Sequence, residues 1–177
     1  MDNIERSLTK IKDVDLKIMS ELDDRSLLQF CKTNKYANNL CKEPMFWRNR
    51  IQTKYPKALE FKSPDRTWRN YYLNIVYYMD KLEKTHKRMY LAAKNGEKDL
   101  VDFFISEGAD DFSEGMKSAA LGGHLELVKY FISKALEEGD GEEWDEYDWN
   151  KGLFAADRGR HKDIIDFFRM KGADMVL

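Results

Sequence analysis

One stretch of this chain is written three times, at residues 92–105, 119–132 and 156–169. Each copy opens on Ala, reaches a Gly or its stand-in three or four residues later, and then runs charged, Leu or Ile, Val or Ile, charged, aromatic, Phe. The pattern predicts a helix, a tight turn and a second helix. Small residues face inward on the first run (Ala92 and Ala93; Ala119 and Ala120), so a neighbouring helix can approach closely. The second run sets Leu127, Val128 and Phe131 on one face of period 3.6. Such a pair buries its apolar face only by stacking on the next pair. Gly96 and Gly123 fall at the reversal, where positive φ disfavours any residue with a β-carbon. In the third copy Arg160 takes that place, and Gly159 one position earlier is expected to supply the positive φ.

The signature A-A-x-x-G-H-x-E-L-V, followed by an aliphatic-aromatic run and then Gly108-Ala109-Asp110 or Gly172-Ala173-Asp174, resembles the ankyrin repeat. That resemblance implies stacked helix-turn-helix units that bind another protein. The copies are 27 and 37 residues apart, against about 33 in the family. Lys87-Arg88, Glu114-Gly115 and Lys151-Gly152 stand where the family carries Thr-Pro. Compact repeats with G-A-D-D-aromatic linkers are similar to those in proteins of large amoeba-infecting DNA viruses, which implies a host-interaction role in the host cytoplasm.

Ahead of the repeats, Val14, Ile18 and Leu22 make a helical stripe, and Asp24 is expected to cap the helix that follows. Residues 26–31 and 35–41 read as two further helices, and Pro44 starts a fourth. A helix ending in Leu-Asp, then D-x-x-S-L-L, Cys-Lys-x-x-Asn and Pro-Met-Phe-Trp, resembles the F-box over residues 12–51. The resemblance implies a small helical module that docks on the adaptor subunit of an SCF-type cullin-RING ubiquitin ligase. The contacts carried over are Ile18, Leu22, Leu27, Leu28, Phe46 and Trp47, with Cys31 also matching; Lys10-Ile11 stands where the family opens with Leu-Pro. The same apolar residues would equally form the core of any small bundle. Trp47 is silent if internal and an interface anchor if exposed.

Residues 52–64 read as an irregular connector. Beyond them Trp68, Tyr71, Tyr72, Ile75, Val76, Met79, Leu82 and His86 share one face of a long amphipathic helix, with Asp65 as its cap. This helix is expected to cover the exposed side of the first repeat; the competing reading makes its tyrosines a ligand groove. The expected organisation is all-α: an F-box-like module (1–64), a connecting helix (65–88) and three ankyrin-like repeats (89–177).

The last copy turns polar. Arg169 stands where Ile105 and Ile132 do, and Asp157 where Ala93 and Ala120 do, so the two isoleucines are expected against the following repeat and Arg169 in water. Between copies two and three an insertion at 137–148 has eight acidic residues of twelve and no basic one. It is either a solvated loop or an acidic contact finger, with Trp144, Glu146, Tyr147 and Asp148 as candidate target contacts.

Net charge is -2, but the chain carries 19 Lys and Arg against 12 Asp and Glu through Arg88, and 11 against 20 thereafter. The early cations are scattered between apolar positions, a solvated-surface pattern that argues against nucleic acid as a partner. Cys31 and Cys41 sit in apolar helical text and are expected as reduced structural thiols. His124 and His161 hold equivalent repeat positions, where a ring bonded to neighbouring backbone is expected. No nucleophile elbow, phosphate loop or zinc spacing occurs, so the sequence predicts no enzyme, metal or cofactor. The absence of a long apolar run or signal-peptide pattern predicts an intracellular protein without a membrane span. The expected function is the substrate receptor of a ubiquitin ligase, its repeats holding an unidentified target. The alternative is a binding or decoy protein whose F-box-like part only caps the repeats.

Overall fold

A computed structural model describes residues 8–33, 35–137 and 146–173. Its regular structure is helical, with no strand among the described residues. The helices are α1 (Lys12–Ser20), α2 (Asp24–Thr33), α3 (Lys35–Leu40), α4 (Pro44–Lys54), α5 (Trp68–Lys81), α6 (Thr85–Lys94), α7 (Lys98–Ser106), α8 (Phe112–Gly122), α9 (Leu125–Glu137), α10 (Glu146–Gly159) and α11 (Lys162–Met170). A 3-10 turn, Pro56–Glu60, follows α4. No described helix is long and apolar enough to cross a membrane. Contacts divide the chain into two compact units, Met1–Asp80 and Lys81–Leu177.

The first unit is built on Leu27, Phe30, Trp47, Ile51, Tyr71, Tyr72 and Ile75, all buried. Its first helix corrects the sequence reading. The stripe of Val14, Ile18 and Leu22 is not the internal face: Val14 is 42% exposed, the other two are half-buried, and Asp15 and Met19 point inward instead. Asp15 can be internal because its carboxylate accepts from the Thr9 N–H (2.7 Å), the Thr9 hydroxyl (3.0 Å) and the Tyr36 hydroxyl (2.9 Å). Nor does Asp24 cap α2. Asp23 does, accepting from the Ser26 N–H at 2.9 Å, which frees Asp24 for another purpose.

The long aromatic helix is two helices. α5 stops at Lys81 and α6 begins at Thr85, with Arg88 Nε donating to the Leu82 carbonyl at 2.7 Å just past the break. Thr67 rather than Asp65 caps α5, its hydroxyl accepting from the Asn70 N–H at 3.2 Å. Of the α5 tyrosines, Tyr71, Tyr72 and Tyr78 are buried and so line no open groove, the Tyr71 hydroxyl donating to the Ala58 carbonyl of the 3-10 turn, while Tyr77 is 45% exposed.

The second unit is three helix pairs, α6/α7, α8/α9 and α10/α11. Each reversal closes with the same 6→1 backbone bond at 3.0 Å: Glu97 N–H to the Ala92 carbonyl, His124 to Ala119, His161 to Ala156. The first helices lie side by side with α8 between α6 and α10. Ala92, Ala93, Ala119, Ala120, Ala155 and Ala156 are buried there, the close approach that small residues permit. Phe104, Phe131 and Phe168, at equivalent places in α7, α9 and α11, are fully buried. Arg169 is exposed, as its polarity requires, and Ile105 and Ile132 are half-buried rather than enclosed.

Candidate functional site

The joints between pairs are the most repetitive chemistry in the second unit. His124 Nε2 lies 3.1 Å from the Lys94 carbonyl of the preceding pair, and His161 Nε2 lies 3.2 Å from the Leu121 carbonyl. A carbonyl only accepts, so Nε2 carries the proton in both rings. Each imidazole also occupies the space above a glycine: a β-carbon on Gly96 would come within 2.6 Å of His124 Cε1, and one on Gly123 would strike the His161 ring. Gly96 (φ 75°) and Gly123 (φ 84°) have the predicted left-handed backbone. The third copy differs from expectation. Arg160 itself adopts φ 61°, while Gly159 is helical and lies where a β-carbon would meet the Leu121 carbonyl. Both half-buried histidines thus bridge one pair to the next.

A second set of bonds fixes the short linker between α7 and α8. His86 Nε2 is 2.7 Å from Asp110 Oδ1, and the Tyr90 hydroxyl donates to Asp111 Oδ2 at 2.6 Å. Asp111 Oδ1 meanwhile accepts from the Glu114 N–H and caps α8. The bond from His86 holds the Asp110 carboxyl below its ordinary range. Desolvation, then the bond to Asp111, pushes the Tyr90 phenol above its own. Between the first two pairs the Tyr130 hydroxyl donates to Asp102 Oδ1 at 2.6 Å, and Lys98 Nζ stands 3.8 Å from the centre of the Tyr130 ring.

In the first unit the organising group is one that the sequence reading left on the surface. Arg50 is 4% exposed. Its Nη1 donates to the Ser20 carbonyl (2.9 Å) and its Nη2 to the Leu22 carbonyl, ending α1. Nη2 also pairs with Asp24 Oδ1 (2.7 Å), and Nε donates to the Tyr72 hydroxyl (2.8 Å), which in turn donates to Asp24. Lys54 Nζ takes the other Asp24 oxygen at 2.8 Å. Desolvation raises the Asp24 pKa, but the bonds from Lys54, Tyr72 and Arg50 outweigh it and leave the carboxyl below its ordinary value. Desolvation and the bond to Asp24 push the Tyr72 phenol well up. One guanidinium thereby joins the end of α1, the start of α2, α4 and α5.

Cys31 and Cys41 are not free thiols here: they form a disulfide joining the end of α2 to the residue after α3. Two side chains hold the same turn, Asn38 Nδ2 donating to the Cys31 carbonyl (2.9 Å) and Trp47 Nε1 to the Cys41 carbonyl (2.8 Å).

The candidate adaptor contacts separate by burial. Leu27 and Trp47 have no exposed surface and Phe46 only 6%, so these three are interior side chains, with Phe46 and Trp47 edge-to-face at 5.2 Å. Ile18, Leu22 and Leu28 are half-buried and keep surface to offer. Of the candidate target contacts, Trp144 lies outside the described residues, as do 138–145 of the acidic insertion. Glu146 and Tyr147 belong to the first turn of α10. Asp148 is committed internally: it accepts from the Ser113 hydroxyl at 3.1 Å and lies 3.6 Å from Lys151 Nζ. No three His, Cys, Asp or Glu side chains among the described residues are placed to hold a metal ion. No family model, curated protein or solved structure matches the chain.

Proposed function

We propose that this chain is a protein-interaction adaptor, with an F-box-like first unit and ankyrin-like helix pairs in the second. The observation that carries this reading is the use of His124 and His161. Each ring reaches the carbonyl of the preceding pair through Nε2, which supports reading the unit as a stacked scaffold. In this reading the first unit docks on the adaptor subunit of an SCF-type ubiquitin ligase through Ile18, Leu22 and Leu28, and the helix pairs hold a target. The work is then done by raising local concentration rather than by bond chemistry.

A second reading, a binding or decoy protein outside the ubiquitin pathway, draws on the interior positions of Leu27, Phe46 and Trp47 together with Lys10-Ile11 in place of Leu-Pro. Pull-down of the purified protein with a eukaryotic SCF adaptor subunit separates the two. Leu28→Asp and Ile18→Asp, each checked by circular dichroism, alter surface without emptying the core, as Leu27→Asp would. Capture by wild type and its loss in the folded variants supports the ligase reading; no capture by wild type leaves the binding or decoy reading.

A further inference from the structure

Two cations of the first unit, Arg50 and Lys54, share the Asp24 carboxylate. At the start of α5 the pattern is different. Lys62 Nζ lies 4.9 Å and Arg48 Cζ 5.8 Å from the centre of the Trp68 ring, and Arg69 Cζ lies 5.9 Å from the buried Trp47 ring. None of the three forms an ion pair with a carboxylate among the described residues; Lys62 Nζ finds only the Ser63 carbonyl, at 2.7 Å. Arg48, Lys62 and Trp68 are half-buried and Arg69 is exposed. Three positive charges are therefore gathered about two indoles, with ring faces and the Ser63 carbonyl but no ion-paired carboxylate among the described residues to balance them. Two of them, Arg48 and Lys62, share the single Trp68 ring. Partial burial strengthens their attraction for an anion relative to cations fully in water.

From this arrangement we infer that the Arg48–Lys62–Arg69 corner around Trp68 is a docking surface for an acidic protein segment, separate from the α1 and α2 residues of the proposed ligase contact. Its chemistry favours carboxylates over nucleic acid. Single-stranded nucleic acid is held by stacking bases on open aromatic faces beside a basic groove. Here Trp47 has no exposed surface and Trp68 has cations over its ring, so the indoles serve the cations instead of offering a stacking platform. Three charges at one corner also suit a few neighbouring carboxylates better than a long phosphate track.

The test is fluorescence polarisation of a fluorescein-labelled poly-(Glu-Gly) peptide on the full chain, with oligothymidylate of equal charge as the comparison. Arg48→Ala, Lys62→Ala and Arg69→Ala combined should weaken peptide binding by about tenfold or more. The same number of exposed cations removed from the second unit, Lys87→Ala, Lys94→Ala and Arg158→Ala, should change it by less than about twofold. Should the triple variant lose its circular dichroism spectrum, Arg69→Glu alone, at an exposed site, should still weaken binding severalfold. Equal losses in the two triple variants, or no peptide binding by wild type, would overturn the inference. Tighter binding of oligothymidylate than of peptide would reassign the corner to nucleic acid.

Discussion

The imidazole of His161 fills the volume that a side chain on Gly123 would need, and Gly123 at the same time holds φ 84°. Two independent restrictions meet at one position. Gly123→Ala should therefore cost about 3 kcal/mol, one part from left-handed backbone and one from displacing the ring. Gly108 has φ 93° but nothing within 4 Å of the place a β-carbon would take, so Gly108→Ala should cost only about 1 kcal/mol. Urea denaturation of both variants checks the difference; equal costs would mean that the histidine ring yields freely.

Arg50→Ala should destabilise the first unit by about 3 kcal/mol, because it takes the guanidinium from two carbonyls at the end of α1 and leaves Asp24 with only Lys54 and Tyr72. Tyr72→Phe removes a single hydroxyl from the same network and should cost about 1 kcal/mol. Chemical denaturation of the two variants ranks them, and a Tyr72 effect as large as that of Arg50 would make the phenol the centre of the cluster.

Acid should weaken the first unit before the network is otherwise disturbed. Asp24 and Asp15 both have carboxyl pKa values lowered in the folded chain. For Asp15, burial pushes upward and the bonds from Thr9 and Tyr36 more than offset it. Their stabilisation is complete above the unfolded aspartate value of about 3.9 and is lost as pH falls through the lower folded values. Urea midpoints measured from pH 6 downward should hold nearly level and then drop below about pH 4. Asp24→Asn should start from a lower plateau and show a shallower drop.

Reducing the Cys31–Cys41 disulfide, whose cysteines are ten residues apart, should cost about 2–3 kcal/mol through the unfolded chain. Asn38 and Trp47 still hold the turn, so the far-ultraviolet circular dichroism of the reduced protein should match that of the oxidised one. Denaturation with and without dithiothreitol measures the first expectation, and the spectra measure the second.

The repeats were legible because their information is local. Ala92, Ala119 and Ala156 mark the same place in three helices, and the glycines at the reversals announce their backbone. Gly115 and Gly152 carry a packing reason as well: a β-carbon on either would enter the Phe131 or Phe168 ring. What escaped the sequence was settled by distant partners. Asp15 looks like a surface residue until Thr9 and Tyr36 reach it, and Arg50 looks solvated until Ser20, Leu22, Asp24 and Tyr72 converge on it. Asp23 and Asp24 were equally good caps by type, and Arg50 decided between them by claiming the second. The break after Lys81 carries no Gly or Pro to announce it, only the helix-starting Thr85 and the reach of Arg88 to Leu82.

The spacing between copies changes from 27 to 37 residues, yet His124 on Gly96 and His161 on Gly123 make the same joint. Fit between neighbours is thus uncoupled from the length of chain that connects them. Lengthening a flexible connection twofold adds only about 0.6 kcal/mol of closure entropy. Joints of this kind let the intervening text be lengthened, shortened or rewritten while the architecture is kept.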